Sequence, residues 1–264
     1  MEIYNVKPNL NIKAVIFDFD GTISVLRSGW EKVMEDFMLS ILSAEKQPSD
    51  TLVNEIRQYI DESTGIQTAL QMEWLDKKVK ECGINANNKD IWDYKDGYNE
   101  MLIKSVNDRL YKLNSGELSR DDYVVMGSIQ FLEALKNYNI NMYVASGTDD
   151  ADVKNEVKAL GLSGYFKEVA GAPYRKKDCS KEAVIKNLIK EKNIPGESLM
   201  IIGDGKVEIS LGKEAGALTL GTATDEINRS GVNPVKKERL LKAGADAITG
   251  DFIELDSVLK LMCL

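Results

Sequence analysis

The sequence predicts an α/β protein, with a parallel sheet, helices on both faces and an inserted all-helical unit. Three observations predict it. Short apolar runs alternate with amphipathic helical stretches over most of the chain. One long stretch, from about Ser24 to Leu118, holds helical patterns and no convincing strand. The first apolar run, in VIFDFDGT (residues 15–22), ends in two aspartates and a glycine. Strands are depleted in both residue types, so this run ends in something other than more strand.

The elements follow in order. Ala14–Phe17, Asn141–Ala145, Leu199–Ile202, Leu218–Leu220 and Ala247–Ile248 read as buried parallel strands. Tyr123–Tyr138, Asp150–Leu160, Lys181–Lys192, Val207–Ala215, Val235–Ala243 and Phe252–Met262 carry helical patterns between them. In the strand-free stretch, Trp30, Val33, Met34, Phe37, Met38, Ile41 and Leu42 follow the i, i+3, i+4, i+7 spacing of one helix face. Leu52, Val53, Ile56 and Ile60 suggest a second helix, Ile66, Leu70 and Trp74 a third, and Ile91, Tyr94, Tyr98, Met101 and Leu102 a fourth. All three tryptophans lie in this stretch, and Asn114–Arg120 is the expected hinge of return.

Composition narrows the chemistry. The chain has 264 residues, a net charge of −8 and no basic cluster, which argues for a small substrate over nucleic acid. No run of 18 apolar residues exists, so no membrane span is expected, and MEIYNVKPNLNIK at the N-terminus lacks the apolar core of a signal peptide. Cys82, Cys179 and Cys263 are odd in number and far apart, as free thiols of a reducing cytoplasm would be. The chain contains no histidine, which removes histidine-based triads and histidine-ligated zinc. A metal would be a hard cation held through oxygen, Mg²⁺ first.

Ligands of open parallel sheets bind beyond the carboxyl ends of the strands. There the sequence places Asp18 and Asp20 after the first run, Ser146-Gly147-Thr148-Asp149 after the second, and Gly203-Asp204-Gly205 after LMII, with Glu208 four residues beyond Asp204. Lys181 opens a helix between the last two. Side chains alternate in an extended chain, so Asp18 and Asp20 are expected on one side, where like charges need a cation or a shared proton. Gly21 is expected to let the backbone approach a ligand closely. Taken singly, Ser146 could be a helix cap, Lys181 a surface lysine and Asp204 a turn residue; their order and placement together argue for a site.

These residues resemble the four motifs of the haloacid dehalogenase superfamily of phosphatases. DFDGT, a serine after a second strand, a lysine opening a helix and GDGKVE after a later strand carry the resemblance, which covers about 1–23 and 119–264. It implies a Rossmann-like catalytic core over those two segments and a helical cap of the family's first class over 24–118. It also implies roles. Asp18 would be the nucleophile that forms an aspartyl-phosphate, and Asp20 the general acid and then base. Ser146 and the Gly147 amide would bind the phosphoryl oxygens, and Lys181 would neutralise charge. Mg²⁺ would be held by Asp18, the Asp20 main-chain carbonyl and Asp204, with Glu208 in the second acidic position. Lys176 and Lys177 are rivals for the lysine role. Arg27 and Trp30 could reach substrate or could be ordinary surface and core.

The expected activity is therefore a Mg²⁺-dependent phosphatase of a small phosphorylated metabolite, such as a sugar phosphate. A phosphomutase of the same superfamily and a non-catalytic ligand-binding relative are the alternatives. The cap carries no motif that names the ester, and oligomeric state is not legible.

Overall fold

The computed structural model describes residues 1–5, 10–43, 47–84, 89–173, 175–176 and 181–264. Its centre is β2 (Ala14–Phe17), four residues buried on both faces. To one side β2 pairs in parallel with β3 (Asn141–Asp149), and β3 with β4 (Glu168–Ala172). To the other side it pairs with β5 (Leu199–Gly203), then come β6 (Leu218–Thr222) and β7 (Ala247–Thr249), all parallel. A two-residue strand β1 (Glu2–Ile3) closes that edge antiparallel to β7. The order β1-β7-β6-β5-β2-β3-β4 reverses direction at β2, which makes the carboxyl end of β2 the topological switch point.

The period of two sorts the sheet's side chains between two helix layers. Val15 and Phe17 share one apolar cluster with Phe131 and Leu132 of α5 (Ser128–Asn137), Val153 of α6 (Asp150–Ala159) and Val258 of α10 (Leu255–Leu261). Ala14 and Ile16 face Ile185 and Leu188 of α7 (Lys181–Glu191) and Leu211 of α8 (Lys206–Glu214). Ile248 meets Leu240 of α9 (Pro234–Lys242) in a third cluster. The α/β fold with helices on both faces is as the alternation predicts.

Between β2 and α5 lie α1 (Trp30–Leu42), α2 (Asp50–Glu62), α3 (Thr68–Glu81) and α4 (Ile91–Ser115), with no intervening strand. Helix α1 packs on α2, α3 and α4, and α3 packs on α4. Tyr59 and Trp74 stack with ring centroids 4.2 Å apart. The chain leaves and re-enters the sheet region side by side: Val25 N donates to Tyr123 O at 2.9 Å and Val125 N to Ile23 O at 2.9 Å.

Three details differ from the sequence reading. Helix α5 starts at Ser128, not Tyr123, because Val124 is paired with Ser24 and Gly127 takes a left-handed φ of 81° ahead of the helix. Strand β3 runs past Ala145 to Asp149 through an irregular stretch in its pairing with β4. Strands β1 and β4 carry no apolar run and were not expected.

Candidate active site

The backbone of Asp18 continues the β2 ladder, its N–H donating to Ile202 O at 2.8 Å. Its carboxylate is thereby fixed at the switch point and is buried. Lys181, the first residue of α7 and also buried, brings its ammonium 2.8 Å from Asp18 Oδ2 and 3.0 Å from Glu208 Oε2. Of the rival lysines, Lys176 is exposed, and Lys177 lies outside the described residues, as do Asp178, Cys179 and Ser180.

Glu208 is oriented from its own helix start. Its Oε1 accepts from Gly205 N at 2.6 Å, a cap on α8. A Cβ on Gly203 would lie 2.4 Å from Glu208 Cγ, so the turn after β5 requires glycine there. Asp204 completes the cluster: Asp18, Asp204 and Glu208 each offer an oxygen, all within 4.8 Å of one another. Asp204 Oδ2 also accepts from the buried Lys236 ammonium at 2.8 Å, and Lys236 reaches Glu226 Oε1 at 2.5 Å. Gly21 has a φ of 73°, and a Cβ there would sit 2.4 Å from Asp204 Oδ2 and 3.1 Å from Glu226 Oε1. The glycine thus makes room for two carboxylates of the protein, where the sequence reading assigned it to a ligand's approach.

The side chain of Asp20 takes a different environment from these three acids. Its Oδ2 accepts from Thr148 Oγ1 at 2.9 Å and from Ser146 Oγ at 3.4 Å. Its Oδ1 is buried with no hydrogen-bond partner among the described residues, 3.9 Å from Arg27 Nε. The Asp20 carboxylate thus stands outside the group of three acids, Asp18, Asp204 and Glu208, whose oxygens lie close together. Ser146 accepts from Thr148 N at 3.0 Å, and a Cβ on Gly147 would meet nothing within 4 Å, so the backbone is open there. Arg27 lines the same cavity, but its guanidinium grips the buried Glu156 at 2.6 and 3.0 Å and approaches Asp152 at 3.5 Å. Arg27 therefore lines the cavity as an internally paired residue.

Burial sets the proton affinities. Loss of water pushes the Asp18 carboxyl well above the usual carboxylate range, against the pull of Lys181. Burial acts the same way on Asp204, but there the Lys236 ammonium prevails and holds the group below its ordinary value. The Lys181 and Lys236 ammonium groups resist the effect of burial because each faces two carboxylates, and both bind their protons more tightly than free lysine. Glu156 is pushed up to about 7 by burial and by nearby Asp20, with Arg27 opposing.

The cluster fits a hard divalent cation: it is all oxygen, three-sided and buried, and Glu208 Oε2 makes no well-directed hydrogen bond. Beside it lies a cavity of about 120 Å³. Asp18, Asp20, Ser146, Gly147, Lys181 and Asp204 line one side, and residues of α1, α3, α4 and the α2–α3 turn line the other.

Lys236, Glu226, Thr148 and Glu156 complete this arrangement and were not singled out from the sequence. Lys236 stands beside Lys237, which pairs with Glu2 at the surface instead; nothing in PVKKER distinguishes the two. Thr148 was the nearest to legible, since it follows Ser146 and Gly147 directly.

Solved structures of similar fold include a protein described as "a predicted phosphatase" from Clostridium acetobutylicum, at 18% identity and a TM-score of 0.63, covering 95% of this chain and 100% of that one. A "predicted phosphoglycolate phosphatase" from Haemophilus somnus is similar at 17% identity and a TM-score of 0.63, covering 94% and 97%. The β-phosphoglucomutase of Clostridium difficile is similar at 18% identity and 0.59, covering 96% and 98%. No curated protein matches in sequence. Residues 12–216 match the haloacid dehalogenase-like hydrolase family, and the chain belongs to that family.

Proposed function

We propose that this hydrolase is a Mg²⁺-dependent phosphatase of a small phosphorylated metabolite, with Asp18 as nucleophile and Asp20 as general acid and base. One observation carries the reading: two carboxylates two residues apart have opposite surroundings. Asp18 lies in the acidic cluster against Lys181, while Asp20 lies outside it among hydroxyls, with one buried oxygen that makes no hydrogen bond among the described residues. Opposite environments are how one site gives two carboxyls different tasks.

An Asp18 oxygen attacks phosphorus as the ester P–O bond breaks. The leaving alkoxide takes a proton from Asp20. Water then attacks the phosphorus of the aspartyl-phosphate, Asp20 takes its proton, and the Asp18 carboxylate is regenerated as inorganic phosphate leaves. Lys181 lowers the repulsion between Asp18 and the incoming anion, and Ser146 Oγ and the Gly147 amide bind the phosphoryl oxygens in this reading. Mg²⁺, held by Asp18, Asp204 and the Asp20 carbonyl with Glu208 alongside, would supply charge neutralisation at the phosphoryl group.

In this reading α1 to α4 form a cap, residues 24–118, over a core of 1–23 and 119–264. The pairing of Ile23–Val25 with Tyr123–Val125 at its base supports that division. Cys82 and Cys263 are exposed free thiols, which suits a reducing cytoplasm.

The test is phosphate release from a panel of esters, combined with rapid-quench trapping. Asp18→Asn should abolish turnover and yield no phosphorylated protein. Asp20→Asn should cut turnover by about 10²–10⁴-fold and still label Asp18 with an ester of good leaving group. Label on Asp20 or Ser146 would overturn the assignment. Phosphoryl transfer without release of inorganic phosphate would make the protein a mutase.

A further inference from the structure

We propose that the group esterified to phosphate is uncharged and hydroxyl-rich, a polyol or sugar with no second acid group; this rests on the phosphatase reading above. The cavity has a phosphoryl end at Asp18, Ser146 and Lys181. The leaving group must therefore extend toward α1 to α4.

Charge on that side argues against a second anion. The cationic side chains lining it among the described residues are Arg27 and Lys95, and both are already paired. Arg27 is gripped by Glu156 at 2.6 Å and approaches Asp152 at 3.5 Å. The buried Lys95 ammonium lies 2.5 Å from Asp149 Oδ1. Both cations thus already face carboxylates of the protein, Arg27 having Asp20 Oδ1 a further 3.9 Å away. A carboxylate or second phosphate on the ester would find no uncommitted cation on this side. To bind it, Lys95 would have to leave Asp149, stranding a largely buried carboxylate. Stranding a charge in this way is costly, and leaving charges unpaired is how binding sites reject wrong ligands.

Hydroxyls meet no such barrier. The remaining wall offers Thr64, Thr68, Gln71 and Asn99, all uncharged hydrogen-bonding groups, together with the Trp30 and Tyr98 rings. Asp149 and Asn99, joined at 3.3 Å, form an edge that can accept from and donate to vicinal hydroxyls. The aromatic rings suit the C–H faces of a carbohydrate.

The experiment compares matched esters on the purified full chain with Mg²⁺, reading phosphate release. The pairs are 2-hydroxyethyl phosphate against 2-phosphoglycolate, and glucose 6-phosphate against 6-phosphogluconate; p-nitrophenyl phosphate reports whether the chemistry runs at all. The uncharged member of at least one pair should have the higher kcat/KM, by about 100-fold. Asp149→Asn, which leaves Lys95 without its carboxylate, should narrow that ratio by about tenfold or more by improving the acidic member. Hydrolysis of p-nitrophenyl phosphate with the acidic members equal or preferred, or with no member of either pair used, overturns this inference and leaves the phosphatase reading standing. No phosphate from any ester overturns both. An unchanged ratio in Asp149→Asn, with the wild-type preference present, removes the charge argument and overturns the inference as stated.

Discussion

Replacing Lys181 with Met keeps the stem of the side chain and removes its charge. In the folded chain that charge lies 2.8 Å from Asp18 and 3.0 Å from Glu208, fully surrounded by protein. Asp18, Asp204 and Glu208 have oxygens within 4.8 Å of one another. Two unit charges at such a separation repel by about 3.5 kcal/mol at an effective dielectric constant near 20. Without the ammonium, the three acids cannot all stay ionised when no metal is present. Asp18 takes up the proton, because burial already pushes its carboxyl well above the usual range. A neutral Asp18 is a poor nucleophile, and the charge facing the phosphoryl group is gone as well. Turnover should fall by at least about 10²–10³-fold, the loss typical of removing one such electrostatic contact. Stability should fall too, since removing one member of a buried ion pair costs about 3–5 kcal/mol. For a chain of this size that is a drop in Tm of about 6–20 °C. Differential scanning fluorimetry in EDTA and in Mg²⁺, beside phosphate release, measures both. The Tm deficit of Lys181→Met should be largest in EDTA and shrink in Mg²⁺, where a cation again sits among the acids. A variant within about 2 °C of wild type in EDTA, or one with kcat within tenfold of wild type, would refute this account of Lys181.

Exhaustive chelation should abolish phosphate release, and Mg²⁺ rather than Zn²⁺ should restore it, because the cluster is all carboxylate oxygen; full activity after chelation counts against the site. Gly21→Ala forces a φ of 73° on a residue with a Cβ and places that Cβ 2.4 Å from Asp204 Oδ2. The backbone strain alone is worth about 1–2 kcal/mol, and displacement of Asp204 should raise the Mg²⁺ concentration for half-maximal activity by about tenfold or more; an unchanged Mg²⁺ titration argues that Asp204 is not a ligand. Glu156 is raised on folding from 4.5 to about 7, so it binds its proton more tightly in the native chain than in the unfolded one. Its contribution to stability is full below its ordinary pKa and is lost as pH rises through about 7. Urea unfolding should show wild type losing stability between about pH 5 and 8 more steeply than Glu156→Gln, and parallel curves would contradict the assignment.

How much of this was legible depends on what fixes each element. Ala14–Phe17 and Leu199–Gly203 were readable because strands buried on both faces must be apolar throughout. Glu168–Ala172 was not, since EVAGA pairs only at the sheet's edge and its alanines and glycine have weak strand preference. The helices between Trp30 and Ser115 were readable from their apolar periodicity, although Ile66 falls in the turn before α3. Asp18, Lys181, Asp204 and Glu208 were readable for a topological reason: each follows a strand or opens a helix at the edge where open sheets bind ligands. Lys236 comes from the first turn of a helix after β6, and its reach to Asp204 depends on the rotation of α9 about its axis. That rotation is set by Leu240 packing beneath β6 and β7, a contact that no local pattern specifies.

The two aspartates of DFDGT show where spacing stops and surroundings begin. A period of two delivers both side chains to one cavity, as the sequence implied. It does not say how two like charges coexist there. The fold separates them by partner. Asp18 is drawn to the Lys181 ammonium and the acidic cluster that suits a cation. Asp20 is drawn to the hydroxyls of Thr148 and Ser146, which come from the irregular stretch of β3. Arg27 follows the same logic in reverse. Its place just beyond the motif suggested a substrate contact, yet a buried guanidinium needs a carboxylate close by, and Glu156 supplies it. Within this cavity each charge's first obligation is to its internal partner. The groups left for a ligand's ester portion are therefore the neutral ones, and that is why the charge balance of the wall, rather than the motif, bears on which phosphate ester is accepted.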